Sequence, residues 1–199
     1  MVTEEAALVS LAEFRRSKST DDVLTVVPAV IAAYSDGSAA LAADYYLDER
    51  AAQGVAGGVA VRAVIPDRSV QVERALLWAL KDDTENRLTQ VVSSEVAQPY
   101  RVTMLSTGLT DPKYWGYQRI ARADGCQLCR MLADRGAVYR HDTAFFAAHT
   151  SCNCTAKPWF NGSEMGPEAG TMQYLGSRHN RSAKQNAQLR DYLNAFYPR

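Results

Sequence analysis

The sequence predicts a mainly α protein: a helical amino-terminal body over residues 1–110, a small two-stranded α+β module over 111–160, and a linker with a polar helix over 161–199. Three observations carry this reading. Apolar residues recur at helical spacing through the first hundred positions. Composition changes at Thr110-Asp111-Pro112, where aromatic and arginine residues begin to cluster, and all four cysteines follow that change.

Ser19-Thr20-Asp21-Asp22 supplies an N-cap and an acidic first turn, and Val23, Val26, Val27, Val30, Ile31 and Tyr34 follow on one helical face. Pro28 lies inside that pattern, where it removes a backbone donor and crowds the preceding turn, so a kink or a late helix start is expected. Asp36-Gly37 is read as a break. Ser38 to Gln53, rich in Ala, Leu and Tyr, suits a second helix packed through small side chains and ended by Gly54, Gly57 and Gly58. Ile65-Pro66-Asp67 opens another, with Val72, Leu76, Ala79 and Leu80 on one face. Thr84 to Val96 continues with Leu88, Val91, Val92 and Val96, and Pro99 marks an end or a bend. Stripes of this kind are core, because apolar side chains at helical spacing are ordinarily packed inside.

The second unit reads differently. After Tyr114, Trp115 and Tyr117, the run Arg119-Ile120-Ala121-Arg122 suits a strand, and Asp124-Gly125 turns the chain into Cys126. Cys126 to Ala133 is expected to be a short helix, Thr143 to Ala148 a turn of helix, and Cys154 to Phe160 a returning strand that pairs with the first. Asn161 to Pro167 is a loop, and Ser182 to Phe196 a final polar helix.

A chain of 199 residues that is 47% hydrophobic can bury a real core. Basic and acidic residues both number 22, so no global field steers it onto nucleic acid or an anionic membrane. The start, Met1-Val2-Thr3-Glu4-Glu5, is acidic where a signal peptide is basic. No uninterrupted apolar run approaches the roughly 20 residues of a membrane span. A soluble, unexported protein with no membrane partner is expected, and in a reducing compartment its cysteines favour metal over disulfides.

Their spacing points the same way. Cys126-x-x-Cys129 can present two thiolates to one ion from a tight turn, and His149-x-x-Cys152-x-Cys154 forms a second cluster at zinc-finger distance. Five candidates compete for four positions, and Cys152 is the first to doubt, although Cys154 begins a strand and could point the other way. A disulfide network or ordinary buried thiols are the alternatives. Four protein ligands leave no open position for water, so one structural zinc per chain is expected and no catalytic residue.

Catalytic patterns fail individually. The deaminase order is reversed, and His149 is followed by Thr150 and Ser151 instead of a glutamate base. The metalloprotease helix, the phosphate loop and the serine elbow are absent. His141 and His179 read as exposed loop histidines. A zinc hydrolase would need a base such as Glu164 or Asp142, which the spacing does not demand. A second reading is a zinc-bearing nucleic-acid-binding module. It would use the basic tail residues Arg178, Arg181, Lys184, Arg190 and Arg199, with Tyr114, Trp115 and Trp159 as aromatic platforms.

The helical region, the strand Trp115-Gly116-Tyr117-Gln118-Arg119, Cys126-x-x-Cys129 and then His149-x-x-Cys152-x-Cys154 resemble the MuF-like phage head morphogenesis family of minor capsid proteins. Tyr34, Tyr45-Tyr46 and Asp48-Glu49-Arg50 resemble its members from phages of actinobacteria, and the likeness spans residues 20–160. Many relatives place Pro after the histidine where this chain has Thr150, and some carry a fused toxin or protease where this chain has a short tail. The resemblance implies a low-copy, structural virion component inside the head near the portal, present in the host cytoplasm during assembly. It would assist head assembly or DNA delivery, with the portal or major capsid protein as partner and packaged DNA as a possible contact of the tail.

Overall fold

A computed structural model describes residues 2–122, 125–140, 154–161 and 182–198. The amino-terminal body contains four helices: α1 (Val2–Arg16), α2 (Thr20–Ala52), α3 (Ser69–Ala79) and α4 (Thr84–Thr110). Helix α2 starts where the sequence places it, with Ser19 and Asp22 in a reciprocal capping box: the Asp22 N–H donates to Ser19 Oγ at 3.1 Å, and the Ser19 N–H to Asp22 Oδ2 at 3.1 Å.

The expected break at Asp36-Gly37 does not end the helix, and neither Pro28 nor Pro99 starts or stops one. The helix runs through Pro28 and through Asp36-Gly37 to Ala52, so the two expected helices are one. A proline inside a helix costs about 3 kcal/mol and a glycine about 1. The same face buries Val23, Val27 and Ile31 before the break and Ala39, Ala42 and Tyr46 after it, and each large apolar side chain so buried contributes roughly 1.5–3 kcal/mol. Burial wins. Pro99 is likewise passed by α4, itself buried between Val96 and Met104, and the helix ends only at Thr110. Helix α3 begins at Ser69, two residues beyond Asp67, whose Oδ1 accepts the Ser69 N–H at 3.1 Å. Leu80 to Asp83 separate α3 from α4, with Asp83 in the left-handed region at φ 45°.

Helix α1 has no counterpart in the sequence reading. Its buried residues are Ala6, Ala7 and Ser10, which allow close approach to α2 and α4 but leave no strong apolar stripe. Residues Val23, Val27, Ile31, Val72, Leu76, Leu88, Val91, Val92 and Val96 join Ala6 and Ala7 in the first core. Contrary to the expectation that no apolar run approaches a membrane span, helix α2 is long and apolar enough to cross a membrane. Its buried stripe packs into this core.

Among the described residues the sheet has three strands, where two were expected, in the order β2-β1-β3: β1 (Gly116–Ile120) is flanked by β2 (Tyr139–Arg140) and β3 (Thr155–Trp159), antiparallel to both. Gly116 stands opposite Arg140 and Trp159, and a Cβ there would lie 2.2 Å from the Tyr139 carbonyl oxygen, so only glycine lets β2 approach. A seven-residue helix, α5 (Gln127–Ala133), and the terminal α6 (Ala183–Phe196) complete the described chain.

The sheet packs against the body. Ala42, Tyr46 and Met104 from the body form one core with Tyr114, Tyr117, Val138, Tyr139, Ala156 and Phe160. At this junction Arg50 Nε donates to Asp111 Oδ2 at 2.9 Å and the Tyr46 hydroxyl donates to the same oxygen at 3.2 Å. The remaining guanidinium N–H groups of Arg50 reach the carbonyls of Val55, Ala56 and Gly57, which pins the irregular segment after α2.

Candidate metal centre

Cys126 is the N-cap of α5, and its Sγ accepts the Cys129 N–H at 3.4 Å. The Cys-x-x-Cys spacing thus forms the first turn of a helix, as expected, with Cys126 exposed and Cys129 3% exposed. Cys154 immediately precedes β3 and is 1% exposed. Ile120 pairs with Thr155, so the next step of the same register sets Ala121 against Cys154. Cys129, Cys154 and Ala121 pack together as one small cluster. The pairing of the two strands therefore brings Cys129 of the first cysteine cluster and Cys154 of the second into one buried cluster.

His149 and Cys152 lie outside the described residues, as do His141, Asp142, Thr143 to Ala148, Glu164 and His179. Among the described residues no three His, Cys, Asp or Glu side chains are gathered to hold a metal ion. The donor chemistry of Cys129 and Cys154 fits zinc as a half-site: two thiols in a shared dry contact, with a third on the adjoining turn.

The surroundings hold this half-site from three sides. Arg101 of α4, 2% exposed, donates from Nε to the Cys154 carbonyl at 3.1 Å. The Tyr139 hydroxyl donates to the Leu132 carbonyl at 2.7 Å, tying the end of α5 to β2. Leu189 and Leu193 of α6, with its C-cap Tyr197, pack with Leu128, Met131 and Leu132 of α5. Gln127 Nε2 donates to the Leu193 carbonyl at 3.2 Å, and Arg130 to the Tyr197 carbonyl at 2.9 Å.

A family model described as VG15 protein matches residues 1–181. The chain belongs to the VG15 family. This is a family of phage and viral gene products, so the chain is a phage protein. No curated protein and no solved structure matches it.

Of the aromatic platforms expected in this VG15 chain, Tyr114 does not reach the surface. It is buried beside Tyr46 and Phe160, with ring centroids 6.3 Å from each, and fills the space over Gly108. Trp159 is half-buried, and Trp115 exposes 47% of its surface. Of the basic tail, Lys184 and Arg190 lie on α6 and are exposed; Arg178, Arg181 and Arg199 lie outside the described residues. Burial pushes the Tyr117 hydroxyl up to about 12, and it raises Tyr46 and Tyr114 as well. These phenols stay protonated at neutral pH and offer no general base.

Sequence reasoning missed Arg50, Asp111 and Arg101. A signal existed: Arg50 is in phase with the buried Ala42 and Tyr46, and Arg101 with Ala97 and Met104. A charged residue on an apolar stripe implies a buried partner. The end or bend expected at Pro99 hid the second of these.

Proposed function

We propose that this protein is a structural minor capsid component of the MuF-like kind, held inside the phage head near the portal, and that it assists head assembly or DNA delivery without catalysing a reaction. Membership of a phage family supports the setting. The observation that carries the reading is the β1–β3 pairing that packs Cys154 on Cys129 against a long-helix body. In this reading Cys129 and Cys154 hold one zinc ion together with ligands drawn from Cys126, His149 and Cys152. Bound there, zinc would supply a closed set of metal–ligand bonds and hence folding energy. The chain's own residues set the frame: Cys126 caps α5, Arg101 fixes the Cys154 backbone, and Tyr139 holds the far end of α5.

Two measurements test this. Metal analysis of protein purified under reducing conditions is expected to give one zinc per chain, and its loss in Cys129→Ser. Co-expression with the portal and major capsid proteins of the same phage is expected to place the chain in procapsids at low copy. Protein that carries no zinc removes the clamp, and protein that stays outside particles removes the capsid role.

A further inference from the structure

Helix α2 has an outer face that the other described residues leave open. Ala33, Gly37, Ala40, Asp44 and Leu47 recur along it at helical spacing, flanked by Asp36, Leu41 and Asp48, and all of them are exposed. Gly37 is the informative residue. It is helical without a positive φ, and a Cβ built there would meet nothing within 4 Å, so neither the backbone nor the packing of the described chain requires a glycine. A glycine weakens a helix interior, and its use is to let another backbone come close. The same face carries three carboxylates and no cation, because Arg50, the one basic residue of α2, is turned inward onto Asp111.

Helix α3 presents the complement. Val70, Arg74 and Leu77 follow one another along its outer face, Trp78 adjoins Leu77, and Lys81 stands in the turn beyond. All are exposed, with Glu73, the one acid of α3, at the margin. Arg87 lies 4.7 Å from the centre of the Trp78 ring and holds the indole in place. Other surface charges of the body find partners, as in Arg15 with Glu85, Arg16 with Glu13 and Arg87 with Asp82. Among the described residues, Asp36, Asp44, Asp48, Arg74 and Lys81 have no such partner. The faces also match in length, about 18 Å from Asp36 to Asp48 and about 16 Å from Val70 to Lys81.

We propose that these faces are the two halves of one interface: copies of this chain associate head to tail, α3 of one copy laid along the outer face of α2 of the next. Arg74 and Lys81 then meet the carboxylates of α2, Leu77 and Trp78 cover Leu41 and Leu47, and the small residues of α2 bring the helices close. Because the two faces differ, the contact repeats from copy to copy, closing a ring or continuing as an open chain. One helix pair buries less than the roughly 800 Å² per partner of a stable interface, so association is weak and rises with concentration. It involves no cysteine and no metal.

The test is sedimentation equilibrium of the full-length chain under reducing conditions, with folding followed by circular dichroism. Wild type is expected to associate as its concentration rises, and less so at high salt. A chain still monomeric at about 1 mM overturns the proposal. Asp44→Lys with Asp48→Lys, and separately Arg74→Glu with Lys81→Glu, set like charges face to face, and each pair should weaken association at least about tenfold. Mixing the two variants restores it, since each reversed face then meets an opposite charge on the other variant. Reversed variants that associate as the wild type does, or a mixture that stays apart, overturn the proposal. Gly37→Gln separates the contact from monomer stability: glutamine is the better helix former, so Tm should rise slightly while association weakens. Undiminished association in that variant counts against the close approach and overturns the interface. Should a reversed pair fail to fold, Asp44→Asn with Asp48→Asn takes its place, with a smaller weakening expected and none overturning the proposal.

Discussion

The four-helix body and the sheet-and-knuckle unit are held by different means. In the body, apolar side chains from α1, α2, α3 and α4 interdigitate in one core, and no single side chain carries it. In the second unit the elements are short: α5 has seven residues and β2 has two, lengths that form no stable structure alone. Beyond the core they share with the body, they are held at a few points, namely the Cys129–Cys154 contact, the Tyr139–Leu132 hydrogen bond, and the leucine face that receives α6. The comparison teaches where damage will spread. A lesion in the body lowers the stability of everything; a lesion in the second unit stays local unless it strikes the junction at Arg50, Tyr46 and Asp111.

The junction is the place to break this contrast. Asp111→Ala leaves the buried Arg50 guanidinium without its carboxylate, and removing one partner of a buried ion pair costs about 3–5 kcal/mol. Both units should lose stability together in chemical denaturation, and a loss confined to one would show that the junction does not couple them. Leu88→Ala, at a site with no exposure, is expected to cost about 2–5 kcal/mol and to lower one cooperative transition.

Gly116→Ala sharpens the contrast from the other side. The added Cβ meets the Tyr139 carbonyl oxygen, a clash of the kind that costs roughly 1–3 kcal/mol. Hydrogen exchange should rise in β2 and at the end of α5 while α2 and α4 keep their protection. Protection lost evenly across the chain would mean that the sheet supports the body as well.

Alkaline pH offers a gentler probe of the same difference. Tyr46, Tyr114 and Tyr117 lie in the shared core and all have raised hydroxyl pKa values, that of Tyr117 reaching about 12 from 10. A raised folded value means stability that is complete below the unfolded value and lost as pH climbs through the folded one. Melting of the sheet unit is therefore expected between about pH 10 and 12, accompanied by tyrosinate absorbance. The first core, whose fully buried members include no tyrosine, should persist longer. The smallest effect is at the surface: Ser19→Ala removes the α2 cap and should cost about 1 kcal/mol, read as a small fall in Tm.

Much of this architecture was legible because local rules wrote it. The capping box at Ser19 and Asp22, the helix behind Cys126, the strand after Cys154 and the terminal helix capped by Ser182 each follow from residues a few positions apart. The break at Asp36-Gly37 was misread for the same reason. Pro28, Gly37 and Pro99 are local penalties of a few kcal/mol, and no local pattern reports how much apolar area the continuing helix will bury. Helix α1 escaped notice because Ala6, Ala7 and Ser10 form a stripe of small residues whose worth depends on how closely another helix approaches.

By itself the sequence determined the helical body, the position of the change near Thr110, and the two cysteine clusters with their candidate chemistry. Tertiary structure alone decided that two expected helices are one, that a third strand joins at Tyr139–Arg140, and that Tyr114 belongs to a core instead of a surface. It also decided that Arg50 meets Asp111 and that Arg101 meets Cys154. The reason is physical. Periodicity and capping act within a turn or two of the chain, whereas burial and the pairing of buried charges depend on residues separated by fifty positions or more, and only the folded chain sets those distances.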